Sequence, residues 1–245
     1  MIFGRRRSNN AHVAIGDHLV TRTQPPVSRE QQTVVNQFHD LYYERWHTDG
    51  GDTTDLSWMG YGLLKCPMDL WMYQELLVRT RPDVIVETGT LYGGSAYFLA
   101  SILDLIGHGR VISIDIDPQP NLPTHPRITF ITGSSTDAAV VERVKQMVGG
   151  ERAMVILDSD HHLDHVFGEL LAYSPLVQVG DYLVVEDTNI NGNPTSAEFG
   201  PGPTEAVERF LAIESSVDQA RFAVDRTCER FLITYNPGGY LKRVS

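Results

Sequence analysis

Two short apolar runs of this sequence end abruptly in acidic residues, and these acids are the side chains best suited to chemistry. Residues 153–157 lead directly into Asp158, and residues 182–185 lead into Glu186 and Asp187. An apolar run of four or five residues rich in Val, Ile and Leu is typical of a buried strand in a parallel sheet. Because an unpaired carboxylate is costly to bury, the three acids are expected at the carboxyl ends of two strands. That edge of an open α/β sheet is where ligands bind.

Three carboxylates at one sheet edge repel one another unless a cation lies between them. Oxygen ligands suit Mg²⁺, Ca²⁺ or Mn²⁺ rather than zinc. We therefore predict a divalent metal site formed by Asp158, Glu186 and Asp187. Two alternatives stay open: the acids cap helices or are solvated, or Asp160 replaces Asp158. Adjacent strand residues point to opposite faces, so Glu186 and Asp187 reach one ion only if the strand has ended by Glu186.

His161 is the favoured candidate for a general base. It follows Asp158 by three residues, on the loop that leaves the strand, so its ring can face the same crevice. A positioned histidine is the side chain that most often transfers protons in catalysis. His162 and His165 compete with it for this role, and a structural or solvated histidine is the alternative for each.

A glycine-rich turn between a strand and a helix predicts a cradle for a nucleotide-like ligand. The strand covers residues 83–87, and Gly89 with two further glycines follows it. Their spacing is not the G-x-G-x-x-G of dinucleotide enzymes, so NAD is not favoured. Asp115 ends the next strand, 115 − 89 = 26 residues after Gly89, a plausible distance for a carboxylate that binds ribose hydroxyls. Glu87, at the end of the first strand, is placed to hold an amino group.

Short strands alternate with helices from Pro82 onwards, which predicts a doubly wound, mostly parallel α/β sheet. Helical spacing of apolar residues from Glu30 to Trp46 predicts a preceding helix packed on this sheet; those residues are Val34, Val35, Phe38, Leu41 and Tyr42. The main strands are predicted at 83–87, 111–115, 128–131, 153–157 and 182–185. The other helices are predicted at 67–79, at 96–106 and at 165–173. One more helix ends at about residue 148, and another begins after the turn at 200–203. Two late runs, 221–224 and 231–235, predict a final hairpin.

Length, charge and cysteine content restrict the class of protein. The chain has 245 residues, of which 42% are hydrophobic, as expected for one domain with a small extension. A net charge of −11 argues against nucleic acid or an anionic membrane as the main partner. No run approaches the ~18 apolar residues that a membrane span needs. Two cysteines fit a reducing compartment, and a polar stretch replaces the apolar core of a signal peptide, so we expect a cytoplasmic protein.

The glycine turn with its flanking acids resembles the class I S-adenosylmethionine-dependent methyltransferases, whose cofactor carries a ribose and a charged amino-acid end but no phosphate. A closer resemblance links the chain to the cephalosporin hydroxylase-like family, and within it to the rhamnosyl O-methyltransferases. It covers about residues 55–245. The matching stretches are Trp58–Gly60 with Lys65, 69–75, 87–96, 157–161, 180–192, 199–203 and 239–241.

This resemblance implies a Rossmann-like, seven-stranded domain over residues 56–245. The mixed sequence before it predicts a partly disordered N-terminal extension over residues 1–55. The resemblance also implies contacts between the cofactor and specific side chains. Ser95, which opens a helix, would meet the methionine carboxylate, and residues 133–136 would line the adenine. Asp137 directly follows these residues, and the alternative to a role in this site is that it only caps a helix. Lys65 would meet the carboxylate end of the cofactor or is simply solvated. The residues expected to bind the cofactor are Lys65, Glu87, Gly89, Thr90, Ser95, Asp115, Ser135 and Asp158.

The function implied by the resemblance is O-methylation of a deoxyhexose such as rhamnose, with S-adenosylmethionine and Mg²⁺ as cofactors. The acceptor would be part of a glycolipid or a glycosylated natural product such as an antibiotic. Family analogues place the base at His161, and family members commonly assemble, which implies a homo-oligomer. One rival function is an iron-dependent hydroxylase, but such sites normally use two histidines and one carboxylate. The other is a non-catalytic cofactor-binding partner, which would not need a metal site and a base.

Overall fold

A seven-stranded sheet is the centre of this computed structural model, which describes residues 27–47, 56–216 and 221–245. The disorder predicted within residues 1–55 concerns segments that lie mostly outside these described residues. The strands are β1 (Ser57–Trp58), β2 (Tyr61–Gly62), β3 (Val84–Thr88), β4 (Arg110–Asp115), β5 (Ile128–Thr132), β6 (Ala153–Leu157), β7 (Tyr182–Val185), β8 (Phe222–Val224) and β9 (Tyr240–Arg243). The helices are α1 (Arg29–His47), α2 (Pro67–Thr80), α3 (Gly94–Ile106), α4 (Ala138–Val148), α5 (Leu163–Tyr173) and α6 (Pro203–Ser216).

The order of the strands confirms the predicted doubly wound, mostly parallel sheet. Across the sheet the order is β5-β4-β3-β6-β7-β9-β8, while β1 and β2 form a separate hairpin. Strands β3 to β7 are parallel to one another, and β9 runs antiparallel to both β7 and β8. The winding direction reverses between β3 and β6. A crevice forms at such a switch point, at the carboxyl ends of the strands, and it is the usual ligand site of this architecture.

Helices cover the sheet on both faces, so the central strands have no polar face. Every residue of β3, β6 and β7 is buried. On one face Val144, Leu170 and Phe210 of α4, α5 and α6 pack on the sheet. On the other face Leu76 and Leu99 of α2 and α3 do so. Burial on both sides explains why these strands appear in the sequence as continuous apolar runs.

The predicted final hairpin is wrong in its second strand. Strand β8 lies within the predicted run 221–224, but residues 231–235 form a loop and β9 takes the expected place. The buried carboxylate of Asp69 accepts hydrogen bonds from Oγ1 of Thr234 at 2.5 Å and from the backbone N–H of Tyr235 at 2.8 Å. The second bond occupies a backbone N–H that a strand would pair with a neighbour. Leu232 has a φ of 70°, which also breaks an extended run.

Helix α1 forms where it is predicted, but it buries a different face. The apolar residues Val34, Phe38 and Leu41 are 64, 50 and 56% exposed. His39 and Tyr43 are buried instead. They contact the loops that follow β7 and precede β9 through aromatic rings and a hydrogen bond, so the helix does not pack on the sheet as predicted. No helix in the described parts of the chain is long and apolar enough to cross a membrane.

Candidate active site

A cavity of about 550 Å³ lies at the carboxyl ends of β3, β4 and β6, at the switch point between β3 and β6. This volume is within the range of small-molecule sites. The predicted site residues that line it are Gly89, Asp115, Ser135, Asp158, His161 and Asp187. Further lining residues, none of them among the predicted site residues, include Tyr43, Leu64, Ser159 and His165.

The glycine turn and the end of β6 lie so close together that only glycine fits at position 89. Gly89 has a φ of +85°, and a Cβ there would lie 1.8 Å from the carbonyl oxygen of Asp158. The Asp115 carboxylate supports the same turn, since it accepts hydrogen bonds from the backbone N–H groups of Leu91 at 2.8 Å and Asp117 at 2.9 Å. The turn is therefore fixed next to the acids of β6. Binding of a ribose by Asp115 stays a prediction.

Asp158, His161 and Asp187 form a cluster with metal-ligand spacing. One ligand atom from each lies within 4.8 Å of the others, and Nε2 of His161 is 3.3 Å from Oδ2 of Asp187. Strand β7 ends at Val185, and Asp187 has a left-handed φ of 52°. The strand has thus ended by Glu186, as the prediction of adjacent ligands requires. The Asp160 carboxylate instead accepts hydrogen bonds from the backbone N–H of His162 at 2.9 Å and lies 2.6 Å from its Nδ1.

Glu186, the third predicted ligand, lies behind this cluster against Lys65. Its Oε1 accepts hydrogen bonds from Nζ of Lys65 at 2.5 Å and from the hydroxyl of Tyr73 at 2.7 Å. Nζ of Lys65 also donates to Oδ2 of Asp158 at 2.6 Å. Lys65 is only 3% exposed, so the solvated alternative for this lysine is wrong. One ammonium thus bridges two of the predicted metal ligands, and a contact between Lys65 and the cofactor stays a prediction.

The charges of this buried group shift each other's pKa values. Burial alone would lower the pKa of Lys65, but Asp158, Glu186 and Glu87 outweigh it and raise that pKa. Burial raises the pKa of Glu186, and the charge of Asp158 raises it further, while Lys65 opposes both effects. For His161, burial would lower the pKa, but Asp187 and Asp158 raise it above its ordinary value. The carboxylates therefore favour the charged forms of both Lys65 and His161.

Glu87, Thr90 and Ser95 form a buried polar layer beneath the glycine turn, rather than the wall of the cavity. Oε2 of Glu87 accepts a hydrogen bond from Oγ of Ser113 at 2.8 Å, and Oγ1 of Thr90 lies 2.7 Å from the same Ser113 oxygen. Among the described residues, Oε1 of Glu87 has no hydrogen-bond partner. Ser95 is buried in the first turn of α3. An acceptor thus remains unused beside the turn.

The two histidines that compete with His161 have other partners. Nε2 of His165 lies 3.0 Å from Oγ of Ser135 and 3.2 Å from Oγ of Ser159. The same nitrogen lies 3.6 Å from Oε1 of the buried Glu169. The side chain of His162 is 71% exposed. Among the three, only His161 belongs to the acidic cluster.

Three residues that support the site were not predicted to do so. The backbone N–H of Asp187 donates to Oδ1 of Asn236 at 3.2 Å, and Nδ2 of Asn236 donates to the Tyr73 hydroxyl at 3.3 Å. This chain of bonds fixes Glu186 and Asp187 together. Tyr73 lies within the matching stretch 69–75, which is a usable signal. Tyr43 lies on α1, outside every matching stretch, so no sequence signal marks it.

The alternative prediction for Asp137, that it caps a helix, is confirmed. Oδ1 of Asp137 accepts hydrogen bonds from the backbone N–H groups of Ala139 at 2.8 Å and Val140 at 3.2 Å, at the start of α4. Its side chain is thereby used for the helix, as is common for aspartate in this position.

The strand order, with one antiparallel strand inserted near the sheet edge, defines a class I methyltransferase fold. Solved structures of CmcI share it: one with Mg and SAM has a TM-score of 0.61 at 23% identity over 80% of this chain and 79% of that chain. The apo structure has a TM-score of 0.60, also at 23% identity, over 80% and 78%. At this identity the likeness concerns the fold.

The chain belongs to the rhamnosyl O-methyltransferase/CmcI family, whose model matches residues 51–244. A rhamnosyl O-methyltransferase of Mycobacterium tuberculosis is 38% identical over 192 residues, which covers 74% of this chain and 75% of that protein. The rhamnosyl O-methyltransferase of Mycobacterium leprae is 37% identical over 191 residues, covering 75% and 80%. The family resemblance recognised in the sequence is thus confirmed.

Proposed function

We propose that this protein is an S-adenosylmethionine- and Mg²⁺-dependent O-methyltransferase that methylates a hydroxyl of rhamnose or another deoxyhexose. The acceptor sugar belongs to a glycolipid or a glycosylated natural product. The observation that carries the proposal is the convergence of Asp158, His161 and Asp187 in one cavity with the glycine turn. Membership of the family and the names of the two mycobacterial relatives support the reaction and the sugar class.

The residues around the glycine turn fit the proposed cofactor. S-adenosylmethionine carries an ammonium group and ribose hydroxyls, both of which are hydrogen-bond donors, and it has no phosphate. Within the described parts of the chain, Oε1 of Glu87 is buried without a hydrogen-bond partner, and Asp115 and Ser135 line the cavity near the turn. An acidic, rather than basic, cradle suits such a ligand.

The acidic cluster fits a hard divalent cation. Asp158 and Asp187 would hold it through carboxylate oxygens, and Glu186 is the third candidate on the same loop. When bound, the two cofactors supply a sulfonium methyl group and a Lewis acid that lowers the pKa of the sugar hydroxyl.

The protein's own part in the reaction is to position the acceptor and remove its proton. The neutral imidazole of His161 accepts the hydroxyl proton. Oδ2 of Asp187, which lies 3.3 Å from Nε2, stabilises the imidazolium that forms. The side chain of His161 is 30% exposed, so it can release the proton to solvent afterwards. Holding both reactants in near-attack geometry is the remaining contribution of the cavity.

A methyl-transfer assay tests the proposal. The protein is incubated with S-adenosylmethionine and a panel of rhamnosides, with Mg²⁺ or with EDTA, and methylated product is detected by mass spectrometry. We expect product with Mg²⁺ and none with EDTA. Absence of methylated product over the whole panel in the presence of Mg²⁺ would contradict the proposal. A hydroxylated product that requires iron and oxygen would establish the rival hydroxylase.

A second experiment tests the ligand assignment with a matched control. Asp158→Asn and Asp187→Asn each remove a charge from the cluster, so Mg²⁺ affinity measured by calorimetry should fall at least about tenfold. Asp160→Asn makes the same change two residues from Asp158, outside the cluster, and should leave Mg²⁺ affinity unchanged. Weaker Mg²⁺ binding in Asp160→Asn than in Asp158→Asn would reverse the assignment.

Assembly, location and domain limits are also part of this proposal. We expect a cytoplasmic homo-oligomer with a methyltransferase domain over residues 56–245. Light scattering on the purified protein measures the oligomeric state.

A further inference from the structure

Helix α1 precedes the family match at residues 51–244, yet it contributes to the candidate active site. Tyr43 is 8% exposed and lines the same cavity as Asp158, His161 and Asp187. Burial raises the pKa of the Tyr43 phenol, and the charges of Asp187 and Asp158 raise it further. An element outside the matched region therefore brings an aromatic ring close to the acidic cluster.

The position of α1 is set by the loop that carries the acidic cluster. Nε2 of His39 lies 2.9 Å from Nδ2 of Asn189, two residues after Asp187, and both side chains are buried. Three rings of α1 contact Tyr235: their centroids lie 5.7 Å away for His39, 6.3 Å for Tyr42 and 5.1 Å for Tyr43. Tyr235 thus packs against Tyr43, and the contact between His39 and Asn189 positions the helix that carries it.

The two ends of the cavity have different chemistry. Gly89, Asp115 and Ser135, which fit the cofactor, all lie within the region that the family model matches. Tyr43 lies near the acidic cluster, where the hydroxyl to be methylated must bind if the proposed function is correct. With the acceptor bound there, a residue at this end is placed to contact the acceptor rather than the cofactor.

We propose that Tyr43, presented by α1, determines specificity for the acceptor by packing its ring against the apolar face of the pyranose. This inference rests on the proposed function. A pyranose carries C–H groups on its faces and hydroxyls on its rim, so a fixed aromatic ring can bind a face while the hydroxyls reach polar groups. The remaining wall near the cluster includes Leu64, which is also apolar.

The test compares variants that keep or remove the ring at similar volume. Tyr43→Phe keeps the ring, and Tyr43→Leu removes it while leaving an apolar side chain against Tyr235. Leu41→Ala changes an exposed residue of the same helix that does not line the cavity. The measurements are KM and kcat for methyl α-L-rhamnopyranoside and the affinity for S-adenosylhomocysteine by calorimetry, with thermal unfolding as a check on folding.

We expect Tyr43→Leu to raise KM for the rhamnoside at least about tenfold, with affinity for S-adenosylhomocysteine unchanged within about twofold. Tyr43→Phe should avoid most of the KM increase seen in Tyr43→Leu, and Leu41→Ala should keep the wild-type KM. An unchanged KM in Tyr43→Leu, or the same increase in Tyr43→Phe, overturns the role of the ring while methyl transfer stands. A parallel loss of S-adenosylhomocysteine affinity in Tyr43→Leu also overturns it, because the defect is then general. Absence of methyl transfer by the wild-type protein overturns the proposed function and this inference with it.

Discussion

Nζ of Lys65 lies 2.5 Å from Oε1 of Glu186, and both side chains are buried. The contact joins the segment before α2 to the residue that follows β7. Because Asp158, which is half-buried, shares the same ammonium at 2.6 Å, one positive charge neutralises part of two negative charges. Removing one partner of a buried ion pair leaves the other charge uncompensated, which is far more costly than losing an exposed pair.

Replacement of Lys65 by methionine should therefore destabilise the fold. We expect the free energy of unfolding, measured by urea denaturation, to fall by about 3–5 kcal/mol. Lys145→Met is the matched control, because Lys145 is exposed on α4, and it should change stability by less than about 0.5 kcal/mol. Equal stability of the two variants would show that the Lys65 contacts contribute little.

The close approach of Gly89 to Asp158 predicts that alanine is not tolerated there. Gly150 provides a control with nearly the same backbone, since its φ is +86° against +85°, but a Cβ at position 150 meets nothing within 4 Å. Gly150→Ala should cost about 1–2 kcal/mol from the left-handed backbone alone. Gly89→Ala should cost about 1–3 kcal/mol more because of the clash, and should weaken binding of S-adenosylhomocysteine. Similar losses in both variants, measured by urea denaturation, would mean that the two loops separate easily.

Removal of the proposed base should affect the rate rather than binding. His161→Gln is expected to lower kcat by about 10²–10⁴-fold, with the affinity for S-adenosylhomocysteine retained. His162→Gln changes the exposed neighbour, which pairs with Asp160, and should leave kcat within about twofold of wild type. A wild-type rate for His161→Gln at neutral pH would assign the proton transfer to another group.

The buried His39 should make the stability of the protein depend on pH in the acid range. Burial lowers its pKa from 6.5 to about 4, although the charges of Asp40 and Asp187 oppose this. The unfolded chain therefore binds the proton more strongly than the folded one, so the stabilisation is complete above the ordinary pKa and is lost as pH falls towards the folded value. The contribution of His39 should fall by about 2 kcal/mol between about pH 7 and pH 4.5.

Comparison with His39→Gln separates this effect from other titrating groups. The free energy of unfolding of both proteins is measured by urea denaturation at each pH. The wild-type protein should lose more stability than the variant on acidification. Parallel curves for the two proteins would show that His39 titrates normally and that α1 is not held by a neutral imidazole.

The core of the sheet could be predicted because its signal is local. A buried parallel strand is an uninterrupted apolar run, and the acids at positions 158 and 186 mark where two such runs end. The second strand of the predicted hairpin was wrong because its structure depends on Asp69, more than 160 residues away in the chain. The prediction of which face α1 buries was wrong for a similar reason. His39 and Tyr43 are buried because they contact Asn189 and Tyr235, which are distant in the chain, while a more apolar face stays exposed.

The site was partly predictable for the same physical reason. Positions of Asp158, His161 and Asp187 at the strand ends follow from the pattern, and the structure brings them together. The pattern does not say which carboxylate faces a buried lysine, so the contact of Lys65 with Glu186 could not be derived from it. The support given to Asp187 by Asn236 depends on a loop that has no regular periodicity.

The insertion of β9 between β7 and β8 has a consequence for the order of folding. Strand β8 precedes β9 in the chain, yet β9 is its hydrogen-bonded neighbour in the sheet. Until residues 240–243 pair with β7, strand β7 has an open edge and β8 has no strand to join. Pairing of these four residues therefore completes that side of the sheet.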